Sequence, residues 1–525
     1  MLLERRRPRR ARIALRRALR CDPRAPQVHA LLAEVSLRLR QRAVAERHLR
    51  AWLRAEPASA SAHARLGAFL SLERSGAERA EWHLRRALRL APRDPEIAGA
   101  LGVHLAQRGR ERDALPLLIR AARAGVARAQ TALAGLAARR PGARARAAAL
   151  RWWVRAACAG EPEACFQLGV RFDMGDGLPQ DPACAARLYL CAARAGLAAA
   201  QHNLGLLYAQ GRGVRRDAAR AARWYARAAA RGEVRAFTQL AFCHAEGQGV
   251  PRDPACARHW FDRAARRGHA LAQFHAGVMW ETGEGGPRDP ARALRCLRRA
   301  ARQGCHAAAF YLGILHEIGE SAPHDARAAR RWILRAASAG HAPAQLHLAQ
   351  QALQSGGPTD AEGAGWLTRA AAQGCAEAEY LLAFLHHMGR GVPRDARRAW
   401  WWMSRAASRG HVDAQVCLGV LLVRGEGVRC DPAAAARWFA RAAEHGDGPA
   451  QRRLARCYAS GFGVPLDPAE AYKWLTLASY AGDERARELR EALAGELSAR
   501  QRWEAQRRAR EWTLSRAGRE SEAIA

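Results

Sequence analysis

From residue 160 to residue 482 the apolar positions of this chain fall into a repeated phrase. Ala, then Leu with a small neighbour, then an aromatic follow one another about four residues apart, as at Ala200, Leu204, Gly205 and Tyr208. That spacing lays them along one stripe of a helix. A glycine such as Gly211 in "GRGV" then stops the helix by taking the left-handed conformation. About seven residues on, an aspartate opens a second helix. Asp181, Asp253, Asp289, Asp431 and Asp467 are each followed by proline. The carboxylate caps free N–H groups and proline suits the first turn. Seven residues inside stands a large apolar anchor, usually tryptophan: Trp224, Trp260, Trp332, Trp402, Trp438 and Trp474. "RAA" or a near relative closes the phrase.

Glycine sets the period. Gly160, Gly196, Gly232, Gly268, Gly304, Gly340, Gly374, Gly410, Gly446 and Gly482 lie 36 residues apart, save one interval of 34 between Gly340 and Gly374. Gly125 begins a weaker unit. A single hairpin of this size cannot bury its own apolar faces, so the units must stack. The small residue on each first helix, such as Gly169, Gly205, Gly277 or Gly313, lets another helix approach closely.

The phrase "A-x-x-x-LG-x-x-Y-x-x-G-x-GV-x-x-D-x-x-x-A-x-x-W-x-x-x-AA-x-x-G" resembles the Sel-one-like repeat (SLR), a relative of the tetratricopeptide repeat. Residues 305–373 depart from it: "IGESAPHD" carries Ser321 where the second loop glycine belongs, and "QSGGPTD" is shortened. Upstream, Pro23, Pro57 and Pro92 close "ALRCDP", "WLRAEP" and "ALRLAP" at spacings that resemble ordinary tetratricopeptide repeats. The implied fold is all-α, a right-handed α/α superhelical solenoid of stacked helix-turn-helix repeats. Three regions are expected: tetratricopeptide-like repeats over 1–124, Sel-one-like repeats over 125–482, and capping helices with a short disordered tail over 483–525.

Composition changes this picture little. Ala and Arg dominate, while strand-favouring Val, Ile and Thr are scarce. The net charge of +37 suggests a polyanion or nucleic acid as partner. However, Lys473 is the only lysine, and the arginines recur at fixed repeat positions, so solvated faces are the leading reading. Met1 to Arg20 has no apolar run of signal-peptide type and no stretch reaches the roughly 20 apolar residues of a membrane span, so the cytoplasm is the expected compartment. The thirteen cysteines are expected to be reduced. Cys158 and Cys165 flank a turn and could meet, as could Cys243 and Cys256 on opposite arms of a hairpin.

No catalytic constellation stands out from the repeat. There is no P-loop, dinucleotide turn, HExxH or nucleophile elbow. His244, His316 and His386 replace an aromatic at one repeat position and belong to different units, so they do not converge on a metal. No enzyme activity, cofactor, metal site or small-molecule substrate is expected. Placed as in tetratricopeptide arrays, residues six and ten after each glycine line the concave wall. They give a candidate partner-binding set of Phe166, His202, Phe242, Phe274, Phe310, Tyr380, Phe384, Arg452 and Arg456. The resemblance implies a non-enzymatic scaffold or adaptor that takes a protein or peptide in an apolar groove with a basic end. A polyanion-binding protein and, behind it, a disulfide-stabilised secreted repeat protein are the alternatives.

Overall fold

The computed structural model describes residues 8–22, 25–39, 41–71 and 76–524, and among these there is no strand. Seven residues of the basic N-terminal run therefore lie outside the described residues. The chain divides into two units, Met1–Arg267 and Gly268–Ala525.

In the first unit helical hairpins follow one another to Pro254–Arg266. The apolar core runs through residue 124 without a break. Leu84, Leu101 and Leu118 share one cluster with Val126, Leu133 and Leu136. A neighbouring cluster joins Ala134, Ala149 and Trp153 to Ala164. The N-terminal hairpins and the glycine-phased repeats thus share one core here.

The second unit begins with the hairpin Ala270–Thr282 and Pro290–Arg302 and closes with helices Glu484–Ala494 and Ala499–Ile524. The last helix covers the final hairpin. Ala505 and Ala509 are buried in the cluster that holds Leu475, and Trp512 lies edge-on to Trp474 at 6.1 Å. The residues expected to form a disordered tail instead continue this helix to Ile524. They contain no proline and are rich in Arg, Glu and Ala, all good helix formers.

Each hairpin is built as its sequence dictates. The Asp253 carboxylate accepts from the Cys256 N–H at 2.9 Å, and the Asp253 N–H returns to the His244 carbonyl at 2.8 Å. One residue therefore caps the second helix and ties down the end of the first. At the end of the first helix Gly211 has φ 72° and donates its N–H to the Leu207 carbonyl at 2.9 Å. Two residues on, Gly213 has a different task. A Cβ there would collide with the backbone of Pro182 and Ala183, one repeat earlier. Gly249, Gly391, Gly427 and Gly463 press on Ala218, Asp360, Ala396 and Pro432 in the same way.

The two departing loops do differ. Ser321, in the place of the second glycine, donates to Glu281 at 2.5 Å and accepts from Arg288 at 2.7 Å. The shortened loop replaces the left-handed cap by a 3-10 turn over Gly357–Thr359.

The tryptophan anchors are corrected by the structure. Trp224, Trp260, Trp332, Trp402 and Trp438 are only half-buried. The residue after each one is buried: Tyr225, Phe261, Ile333, Met403 and Phe439. These following residues face the small residue on the first helix; Tyr225 meets Gly205, Ile333 meets Gly313 and Phe439 meets Gly419. Tryptophan sits one helical step away, at the hairpin surface, beneath an arginine three residues later. Arg227 lies 4.7 Å from the Trp224 ring and Arg441 lies 4.6 Å from Trp438. Of the six, only Trp474 is itself buried, where the capping helix covers it.

Candidate functional site

The first helices of the repeats carry the candidate residues, and each unit places its own set differently. In the first unit His202 is only 3% exposed, with its ring 5.8 Å from Tyr225, so it belongs to the core and not to an accessible wall. Its neighbours explain this: on the same helix Gln201 and Leu204 are buried on either side. Phe166 is half-buried against Tyr189, and Phe242 meets Phe261 edge-on at 5.1 Å.

In the second unit the sixth-position aromatics each reach into the next repeat. Phe274 lies 6.3 Å from Tyr311, Phe310 packs on His341 and His347, and Tyr380 stacks on His411 at 4.6 Å. They are half-buried and serve the junctions between hairpins. His347 in turn pairs with Glu317 at 3.0 Å, which also accepts from Gln351. Burial pushes the Tyr380 hydroxyl up to about 12, so it stays neutral and keeps its apolar stacking role.

Phe384 is different. It is 45% exposed, and one turn on Met388 is 60% exposed, which leaves an apolar pair standing in solvent on the helix Ala376–Met388. Ile318 holds the corresponding place two repeats earlier and is also exposed. The fourteenth position after the glycine was not among the expected wall positions, although its i, i+4 spacing from the tenth was legible. The expected basic end is reduced to Arg456, which is exposed; Arg452 is held by Asp483 at 2.7 Å. Aspartate at the start of the capping helix takes that charge out of play.

A concavity lies in the first unit along the helices Pro95–Gln107 and Ala127–Ala138 and reaches Trp153 and Gln167. Ala100, Val103, Ala132 and Gly135 line it together with Glu96 and Arg128. Small side chains leave the groove open; a Cβ at Gly135 would touch nothing. Small residues without a repeated spacing give it no signature in the sequence.

Two of the three histidines that replace aromatics act as ties. His316 and His386 are buried, and their Nδ1 atoms lie 3.0 and 3.3 Å from the carbonyls of Pro323 and Pro393 in the following loops. Among the described residues no three His, Cys, Asp or Glu side chains gather as a metal site, and no helix is long and apolar enough to cross a membrane.

Solved structures offer comparisons. A protective antigen of uropathogenic Escherichia coli, c5321, with an SLR fold is 29% identical over 76% of this chain and 94% of its own, at a TM-score of 0.47. A Sel1 repeat protein from Oxalobacter formigenes is 25% identical over 46% of this chain and 96% of its own, at a TM-score of 0.41. A comparison with curated proteins gives no match. The Sel1 repeat profile matches nine consecutive segments, 162–197, 198–233, 238–269, 270–305, 306–341, 342–375, 376–411, 412–447 and 448–483. These cover more than half of the chain, keep its glycine phase, and coincide with helical hairpins whose small-residue contacts recur repeat by repeat; the chain belongs to the Sel1 repeat family.

Proposed function

We propose that this protein is a non-enzymatic scaffold that holds a protein partner on the first helices of its second unit, with Phe384 and Met388 as anchors. The observation that carries this reading is their joint exposure. Burial accounts for nearly every other large apolar group on that helix, while these two stand one turn apart in water. Exposed aromatic and methionine side chains that lie together favour an apolar helix or extended segment of another protein. Phe274, Phe310 and Tyr380 shape the adjoining surface by fixing how successive hairpins meet.

A photoreactive amino acid placed at Met388 in the living source cell, followed by mass spectrometry, identifies the partner. The purified partner is then titrated against the wild type and Phe384→Ala. Interface energy concentrates in a few such side chains, so the substitution weakens binding by at least about 1 kcal/mol. Arg298→Ala, on the second helix of another repeat, serves as control. If a folded Phe384→Ala, Met388→Ala double variant binds with full affinity, the anchors lie elsewhere.

A further inference from the structure

Two cysteines that sequence spacing did not pair stand face to face in the first unit. Cys165, on the helix Pro162–Met174, and Cys191, on its partner Pro182–Ala195, bring their sulfurs to 3.5 Å across the hairpin. Both are free thiols. Cys165 is buried, with its Sγ also 3.8 Å from the Ala157 carbonyl of the preceding helix. Cys191 is exposed and opens into a cleft on the second helices of two successive repeats, lined by Arg187, Arg194, Arg227 and Arg231. No Asp or Glu contributes to the cleft wall.

We infer that Cys165 and Cys191 form a thiol–disulfide exchange site whose co-reactant is a small anionic disulfide drawn in by the arginines. The exposed Cys191 loses its proton to solvent, and its thiolate attacks one sulfur of the incoming disulfide R–S–S–R. One R–S⁻ leaves and takes up a proton, and Cys191 carries a mixed disulfide. Cys165 then gives up its proton and attacks the Cys191 sulfur, expelling the second R–S⁻. The two cysteines are oxidised by two electrons in all, and R–S–S–R is reduced to two thiols. The geometry divides the roles: the accessible thiol meets the reagent, and the buried one resolves it. The sulfurs must approach by about 1.5 Å to reach bonding distance. The bridge would link the two helices of the first clear repeat.

Burial makes the resolving thiol the harder of the two to ionise. Burial, then the contact with Cys191, pushes the Cys165 thiol up to about 12, and the nearby Glu161 adds to the effect. Closure from the mixed disulfide needs the Cys165 thiolate, so it speeds up as pH rises.

The test uses the reduced full-length chain and oxidised glutathione, a disulfide of net negative charge. The expected sequence is a glutathione adduct on Cys191, then loss of two hydrogens in intact mass and a linked peptide pair containing Cys165 and Cys191. Cys165→Ser stops at the adduct; Cys191→Ser gives neither product. Cystamine, a dicationic disulfide, reacts at least about tenfold more slowly at low salt, and the preference shrinks at high salt or in Arg194→Gln, Arg227→Gln. Circular dichroism confirms that each variant is folded. The site is overturned if Cys191 is modified but the linked pair never forms. The arginine-guided choice of reagent is overturned if Cys191 reacts no faster than exposed Cys21, Cys158 and Cys430, or if cystamine matches glutathione.

Discussion

Gly205 lies directly against the ring of Tyr225, so closely that a Cβ on the glycine would stand 2.5 Å from a ring carbon. The same contact recurs between Gly169 and Tyr189 and between Gly277 and Leu297, always twenty residues apart. It sets how near the two helices of a hairpin can come.

Gly205→Ala should therefore destabilise the chain by about 1–3 kcal/mol, the usual cost of overpacking. Alanine gains roughly 0.5–1 kcal/mol of helix preference over glycine, which is too little to compensate. Tyr225→Leu should partly rescue the variant in denaturant unfolding. If Gly205→Ala alone is as stable as the wild type, the hairpin has room that the structure denies.

Phe261→Ala should cost about 3–5 kcal/mol, the usual range for a buried aromatic. Trp260→Ala should cost less, because that ring is half-buried and its main loss is the stacking of Phe237 and the cover of Arg263. Equal or reversed effects in thermal melts would restore tryptophan as the anchor.

Glu379 is completely buried where other repeats have glutamine. Gln345 and Gln415 each donate to a carbonyl eight residues earlier, at 2.9 and 3.1 Å. A carboxylate has no N–H to donate, and Arg405 and Arg409 approach it instead at 2.8 and 3.2 Å, close but poorly aligned for hydrogen bonds. Both arginines can turn to solvent, so removing the charge strands nothing. Glu379→Gln should stabilise the second unit by about 1 kcal/mol through one buried hydrogen bond. A lower melting temperature would show that the ion pairs matter more.

His63 and His83 should make the first unit sensitive to acid. Their Nδ1 atoms lie 2.9 Å apart, and His63 Nε2 lies 3.1 Å from the Pro57 carbonyl. The carbonyl requires the proton on His63 Nε2, so His83 donates to the bare His63 Nδ1. Burial lowers the pKa of both rings, and for His83 the neighbouring His63 adds to this. Below the unfolded value of about 6.5 the unfolded chain binds more protons than the folded one, so stability falls as pH falls from about 7 to 5. Hydrogen exchange over residues 60–90 of the full chain should speed up at pH 5.5 relative to pH 7.5, after correction for intrinsic rates. Unchanged protection would mean the pair tolerates a charge.

The glycine phase, the aspartate caps and the helix pairs were legible because each follows from a local rule. Asp253 needs only its own next three residues to act as a cap. Rotational detail was less legible. Periodicity places a stripe only to within one residue, so spacing alone does not separate Trp260 from Phe261. Contacts that depend on how two helices are turned about their axes, such as Cys165 with Cys191 or Arg452 with Asp483, have no signature in spacing at all. His202 was misplaced for the same reason.

The glycines that press on the preceding repeat carry a consequence for how such a chain grows. At Gly213, Gly249, Gly391, Gly427 and Gly463 the neighbour is met through main-chain atoms. This main-chain contact is kept whatever side chains a duplicated 36-residue segment carries, while cross-repeat pairs such as Phe310 with His341 must be matched separately. Gene duplication can lengthen the array in whole units while the surfaces drift freely. In the Ser321 unit that glycine is missing and its place at the junction is taken by side-chain bonds to Glu281 and Arg288, so the unit could not be moved without carrying both partners along.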